Sequence, residues 1–191
     1  LGEVYPVALI LAVTCLILAI VWSIVLYNNL VRARKRTREA WSGIEVQLKR
    51  RASLIPNLVE TVRGYATHEH EVFTEVAQAR GALAKATEPA AAAVADGLLT
   101  QALGRLMAVA ENYPQLQAAG GFNQLQKQLA DTEEKVAYAR QFYNMNALAY
   151  NTATQSFPGN LFARQFRFEP VAFFETDPSV QEDIKVSFTA A

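Results

Sequence analysis

From Pro6 to Tyr27 the chain runs PVALILAVTCLILAIVWSIVLY, 22 residues without a charge. As a helix this segment is about 33 Å long, and a bilayer's hydrocarbon core is about 30 Å thick. Thr14, Cys15 and Ser23 are its polar members. A helix tolerates them in lipid because its backbone satisfies its own hydrogen bonds. Tyr5 and Tyr27 bracket the run and Trp22 lies near its second edge, the placement of interfacial anchors. A cleaved signal peptide fits less well: the apolar stretch is too long, a basic segment does not precede it, and no small-residue cleavage site follows. A core helix of a soluble protein would carry polar residues on one face. The run therefore predicts a transmembrane helix.

Charge on the two flanks predicts its orientation. Glu3 alone precedes the span, whereas Arg32, Arg34, Lys35, Arg36 and Arg38 follow it. Basic flanks are retained on the cytoplasmic side. The expectation is a single-pass protein of a bacterial-type inner or plasma membrane, N-terminus outside and domain in the cytoplasm. The basic cluster sets topology and is also suited to anionic lipid headgroups, at about 1 kcal/mol per residue near the surface.

The 18 basic and 18 acidic residues balance, and residues 32–38 carry no interleaved aromatics, so nucleic acid is not an expected partner. Cys15 is the single cysteine and lies within the apolar run, which leaves no disulfide framework or cysteine-rich metal site within one chain.

Beyond the anchor the pattern is helical. Trp41, Ile44, Leu48, Ala52, Ile55, Val59, Val62 and Ala66 recur in steps of three and four, describing one face of a helix. Lys49, Arg50 and Arg51 read as its basic outer face. Pro56 removes one backbone bond, predicting a kink near residues 52–56. No proline or glycine interrupts residues 30–39, so the span is expected to continue into this helix. A second helix is expected from Thr67 or His68, capped by Thr67 or by His68-x-x-Glu71, with Val72, Val76, Ala79, Leu83 and Ala86 inward. Thr87-Glu88-Pro89 reads as a cap with a first-turn proline, opening a third helix whose stripe is Leu99, Leu103, Leu106 and Ala110. These two are separate helices or one kinked rod. Gly120-Gly121 marks a loop. From Phe122 a heptad pattern follows, including Leu125, Leu129, Val136, Tyr143 and Tyr150. Trp41, Ile44, Leu48 and Ile55 with these five form the expected bundle seam.

The fold class is thus all-α: a transmembrane helix (6–27, after a short extracytoplasmic 1–5) continuous with an antiparallel three- or four-helix bundle (28–158). An aromatic-rich tail (159–191) follows. Its Phe166, Phe168, Phe173 and Phe174 are expected to dock on the bundle or on a neighbouring subunit, and Ile184–Phe188 is a candidate short strand.

Chemistry-bearing motifs are sparse. In His68-Glu69-His70-Glu71 the histidines are two apart and point about 200° from each other in a helix, the wrong geometry for one ion. A loop or capping role fits better. Phosphate-loop, dinucleotide and nucleophile-elbow motifs are absent. No catalytic residue, cofactor or metal is assigned. Tyr143-Asn144 and Tyr150-Asn151, seven apart, share a helix stripe. Such polar residues fix register when buried, with a ligand groove as the sharper alternative.

The segments Tyr27–Phe73, Ala110–Ala118, Phe122–Asn144 and Tyr150–Pro158, with the aromatic tail to near Phe174, resemble the LemA family over essentially the whole chain. Two departures are Ala52-Ser53, where the family often has an acidic residue, and Gly120-Gly121, where it usually has polar ones. The resemblance implies a short N-terminal segment, one membrane helix and a cytoplasmic antiparallel bundle. It implies no enzymatic activity and offers no catalytic residues to carry over.

The function expected is a membrane-anchored, self-associating scaffold or adaptor, a homo-oligomer that organises or shapes the bilayer. The alternatives are a regulatory partner of another membrane protein such as a protease or sensor, a metal-binding protein, and a pore of oligomerised spans.

Overall fold

The computed structural model describes residues 4–175, with side chains from residue 9 onward. Six helices follow one another among the described residues, and no strand occurs there: α1 (Val4–Arg63), α2 (His70–Lys85), α3 (Pro89–Glu111), α4 (Pro114–Gln117), α5 (Gly120–Gln155) and α6 (Gly159–Phe166). The candidate strand Ile184–Phe188 lies outside the described residues.

α1 is a single helix of 60 residues, about 90 Å at the usual rise. The apolar run and the first domain helix are one element, as their uninterrupted sequence predicts. Gly64 follows its last residue, and the chain turns with Gly64 N–H bonded to the Glu60 carbonyl and Ala66 N–H to that of Val62.

Two compact units share these helices. The first joins the N-terminal part of α1, up to Ser42, to residues Phe142–Val171. Here α1 buries Leu30, Thr37 and Ala40. The Thr37 hydroxyl lies 3.2 Å from the Asn146 carbonyl, and the Trp41 and Tyr143 rings meet edge to face at 5.7 Å. Ascending α1 therefore meets descending α5, an antiparallel pair.

The second unit comprises Gly43–Gln141 and the chain from Ala172. α2 and α3 are separate helices packed on each other, joined by only Ala86, Thr87 and Glu88, so they form an antiparallel hairpin. Pro89 occupies the first turn of α3, where its missing N–H leaves no bond unmade. Ile44, Leu48, Ile55, Leu58 and Val62 of α1 are buried, as are Phe73, Val76, Ala79 and Leu83 of α2 and Leu99, Leu103, Leu106 and Ala110 of α3.

Three expectations are corrected. α2 starts at His70 with Glu69 at its N-cap and no side-chain cap bond, so neither Thr67 nor His68 caps it. Phe73, not Val72, leads its buried stripe. Gly120 and Gly121 are the first residues of α5 rather than a loop, and the turn before them is tightened by the short α4.

Pro56 sits inside α1 without ending it. Lacking an N–H, it leaves the Ala52 carbonyl without its usual partner four residues on. Arg80 of α2 supplies one: its Nε donates to the Ala52 oxygen at 3.2 Å. A defect in one helix thus becomes a point of attachment for another. Arg80→Ala should lower stability by about 1 kcal/mol in urea unfolding, and by much less in a Pro56→Ala background, where the Ala52 carbonyl regains a helical N–H.

Candidate functional site

α1 is long and apolar enough to cross a membrane, and none of its most apolar window is covered by the rest of the protein. Leu9, Leu16, Ile20, Trp22 and Ile24 are all exposed. Tyr5 lies where no side chain is described. Immediately past this stretch the chain closes a small core. Leu30, Tyr150, Ala163 and Phe168 are buried together, with Val31, Phe162 and Val171 packed against them.

Local sequence explains how α6 and the following segment reach this place. Gly159 opens α6 so close to α5 that a Cβ there would collide with the Ala153 carbonyl. α6 stops at Arg167, which takes the left-handed conformation (φ 54°), and Phe168 N–H bonds back to the Ala163 carbonyl. The chain then runs extended past α5, where two adjacent side chains hold it. The Tyr150 hydroxyl donates to the Glu169 carbonyl at 2.9 Å. Asn151 accepts from Val171 N–H and donates to the Val171 carbonyl, both at 2.9 Å, as a neighbouring strand would. Burial raises the Tyr150 hydroxyl above its ordinary value, against the lowering effect of Arg34 and Arg38, so it remains a donor at neutral pH. The Tyr-Asn pair flagged by its heptad spacing is thus a clamp on the C-terminal segment.

Phe168 carries Arg34 over its ring at 5.8 Å and meets Tyr27 edge to face at the same separation. Phe166 meets Tyr27 at 4.9 Å and stays half exposed. Phe173 is half-buried and Phe174 buried in the second unit. Arg32, Arg34, Lys35, Arg36 and Arg38 are all exposed. Along the expected seam, Ile44, Leu48, Ile55, Leu129, Val136, Tyr143 and Tyr150 are buried, while Trp41 and Leu125 are half-buried.

The second unit holds what sequence reasoning missed. Arg51, assigned to the exposed basic face, is 3% exposed. Its Nη1 donates to Asp96 Oδ1 at 2.7 Å and its Nη2 to the Thr100 hydroxyl at 3.0 Å; that hydroxyl donates to the Asp96 carbonyl. The signal was present in the spacing. Arg51 falls between Leu48 and Ile55 in the buried stripe of α1, and Asp96 between Ala92 and Leu99 in that of α3. A charge in each of two facing stripes reads as a buried pair. Burial raises the Asp96 carboxyl above its ordinary 3.8 while Arg51 opposes the rise. A raised value means that the folded chain holds this proton more tightly than the unfolded one. The group's stabilising contribution is fullest below the ordinary carboxylate range and declines as pH rises through the folded value. Acid therefore does not unfold the protein through Asp96.

His68 and His70 are exposed in the α1–α2 turn and the first residue of α2. No group of three or more His, Cys, Asp or Glu among the described residues is placed to hold a metal ion. An open groove of about 520 Å³ lies beside Pro56, Arg63, Phe73 and Arg80, and one of about 440 Å³ beside Asn160, Arg164 and Arg167. Each is lined by one carboxylate and by no histidine or cysteine.

A model of the LemA family matches residues 40–188. The chain belongs to the LemA family. Among curated proteins it is similar to the magnetosome protein MamQ of Magnetospirillum gryphiswaldense, 29% identical over 91% of this chain and 74% of that protein. It is also similar to MamQ 1 of Paramagnetospirillum magneticum, 29% identical over 80% of this chain and 66% of the relative. Protein LemA of Metamycoplasma hominis is 24% identical over 84% of this chain and 74% of that protein. The LemA match takes in Arg51, Asp96 and the Tyr150-Asn151 clamp but begins after the apolar run.

Two outcomes are expected. Arg51→Met should destabilise by about 3–5 kcal/mol because it strands a buried carboxylate, whereas Arg51→Met with Asp96→Leu should unfold within a few kcal/mol of the parent in urea. Asn151→Ala should cost about 1–3 kcal/mol and abolish hydrogen-exchange protection at the Val171 amide, with α5 amides retaining theirs.

Proposed function

We infer that this LemA-family chain is a single-pass, non-enzymatic membrane scaffold or adaptor that associates with copies of itself at the cytoplasmic face. One observation carries the reading: the helix apolar enough to cross a membrane continues, unbroken, as a helix of the packed domain. Folding the domain and anchoring it are then one structural event. The five basic residues just after the span support an N-terminus outside and a domain inside, and they suit anionic lipid.

Exposed apolar side chains supply association surfaces. Phe142, Met145 and Leu148 of α5 are each about half exposed or more, as are Val94 and Leu98 of α3. Single exposed apolar residues are ordinary on proteins, but runs along one helix mark contact sites. The relatives named as magnetosome proteins favour a component of a cellular assembly. Against an enzyme stands the chemistry of the two grooves, which offer neither a nucleophile–base pair nor paired carboxylates. The same surfaces would serve a different membrane-protein partner, and that second reading predicts a monomeric purified chain.

Analytical ultracentrifugation in mild detergent at several concentrations should show a defined oligomer. Met145→Glu with Leu148→Glu should shift it toward smaller species without loss of helicity. A monodisperse monomer throughout would sink the scaffold.

A further inference from the structure

We propose that α6 and the turn before it form a second, in-plane contact with the bilayer, seating Phe157, Leu161 and Phe166 at the boundary between headgroups and acyl chains. The proposal rests on the reading that α1 crosses the membrane, because that span fixes the depth of everything packed beside it.

The depth follows from Tyr27 and Leu30. Tyr27 closes the apolar run, with Asn28, Asn29 and then the first charge, Arg32, beyond it, and its ring touches those of Phe166 and Phe168. Leu30, about 4.5 Å further along α1 by helix geometry, is buried in one core with Ala163 and Phe168. The headgroup layer on each side of a bilayer is about 5–8 Å deep. α6 therefore lies at headgroup level.

Its composition suits that level. Phe157 is 78% exposed, Leu161 56% and Phe166 51%. In water these apolar groups are unfavourable where they stand, and burial of each would contribute roughly in proportion to the area covered. Phe157 stands in the turn before α6 and Leu161 in the first turn of α6, and the Phe162 and Phe166 rings stack at 6.4 Å. Between residues 157 and 168 the only charges are Arg164 and Arg167, both exposed and both basic. Aromatic and leucine side chains beside arginines, with Glu169 the single carboxylate in the adjoining groove, leave a basic excess that suits an interfacial helix facing anionic lipid. Charge complementarity and adjacency to the span both name lipid as the occupant.

The test uses the full chain with Cys15→Ser, carrying one nitroxide at a time at Phe157→Cys, Leu161→Cys, Leu16→Cys in mid-span or Glu134→Cys on α5. Each variant enters nanodiscs of phosphatidylcholine and phosphatidylglycerol at one copy per disc. Collision rates with oxygen, which concentrates in lipid, are compared with those of a water-soluble nickel chelate. Labels at 157 and 161 should favour oxygen, as the one at 16 does, while the label at 134 favours nickel. Labels at 157 and 161 that read like 134, with 16 still in lipid, would overturn the proposal and leave the anchor standing. A label at 16 that favours nickel would overturn the anchor itself. Shielding at 157 and 161 that arises only with two or more copies per disc would assign this face to a second copy, and the proposal would fall.

Discussion

Inside a bilayer, backbone carbonyls and amides have no water to turn to, and a helix is the one way a single segment can satisfy them. α1 meets that requirement through its apolar part and continues in the same geometry for the rest of its length. A break at the membrane boundary would free as many as four carbonyls on one side and four amides on the other, all needing partners. The sequence offers neither proline nor glycine there. The first place where the backbone ladder is interrupted is Pro56, far past the apolar stretch, and the carbonyl that Pro56 leaves open is taken up by Arg80. The order of these features along the chain matters. Continuity is kept where no substitute donor exists, and the ladder is broken where a neighbouring helix can provide one.

Arg51 and Asp96 raise a different question, since a buried ion pair is a poor route to stability. Removing both charges from water costs several kcal/mol per ion, and their attraction across 2.7 Å roughly offsets it. The gain is in register. Apolar stripes on α1 and α3 would tolerate sliding by a turn, because leucine packs almost as well on the next leucine. A guanidinium that must meet a carboxylate and a hydroxyl at once does not tolerate it. Thr100 strengthens the restriction by joining Arg51 to the α3 backbone through the Asp96 carbonyl.

The helices and the long apolar stretch were legible in the sequence because periodicity, length and absence of charge survive in one dimension. The stripe Leu99, Leu103, Leu106 and Ala110 needed only spacing. Arg51 and Asp96 are harder to read because residue type and position disagree: an arginine among basic residues suggests the surface, whereas its place in the period is inward. Phe73 and Val72 both stand one helical turn before Val76, so spacing alone does not choose between them, and packing buries Phe73. The clamp could not be read at all. Tyr150 and Asn151 read as polar groups in want of partners, but those partners are backbone atoms of residues 169–171, and backbone atoms leave no trace in side-chain pattern. α4 is four residues long, too short for any period to declare it.

The clamp also explains why an aromatic segment follows the last long helix. Phe168 is held between Leu30 and Tyr150, and it stays there because the residues after it are tied to α5 by three hydrogen bonds. Gly159 permits α6 to turn back onto α5, and left-handed Arg167 redirects the chain so that Phe168 points to the core rather than continuing the helix. Each device is local, and together they bring Phe168 to Leu30. The first unit is thus assembled from the two ends of the described chain, beside the apolar stretch of α1. A chain that closed this core early in folding, before the second unit formed, would have to bring residues more than a hundred positions apart together first. The loop-closure entropy of doing so favours the opposite order: the α2–α3 hairpin forms from local contacts, α5 packs on it, and the core of the first unit closes last.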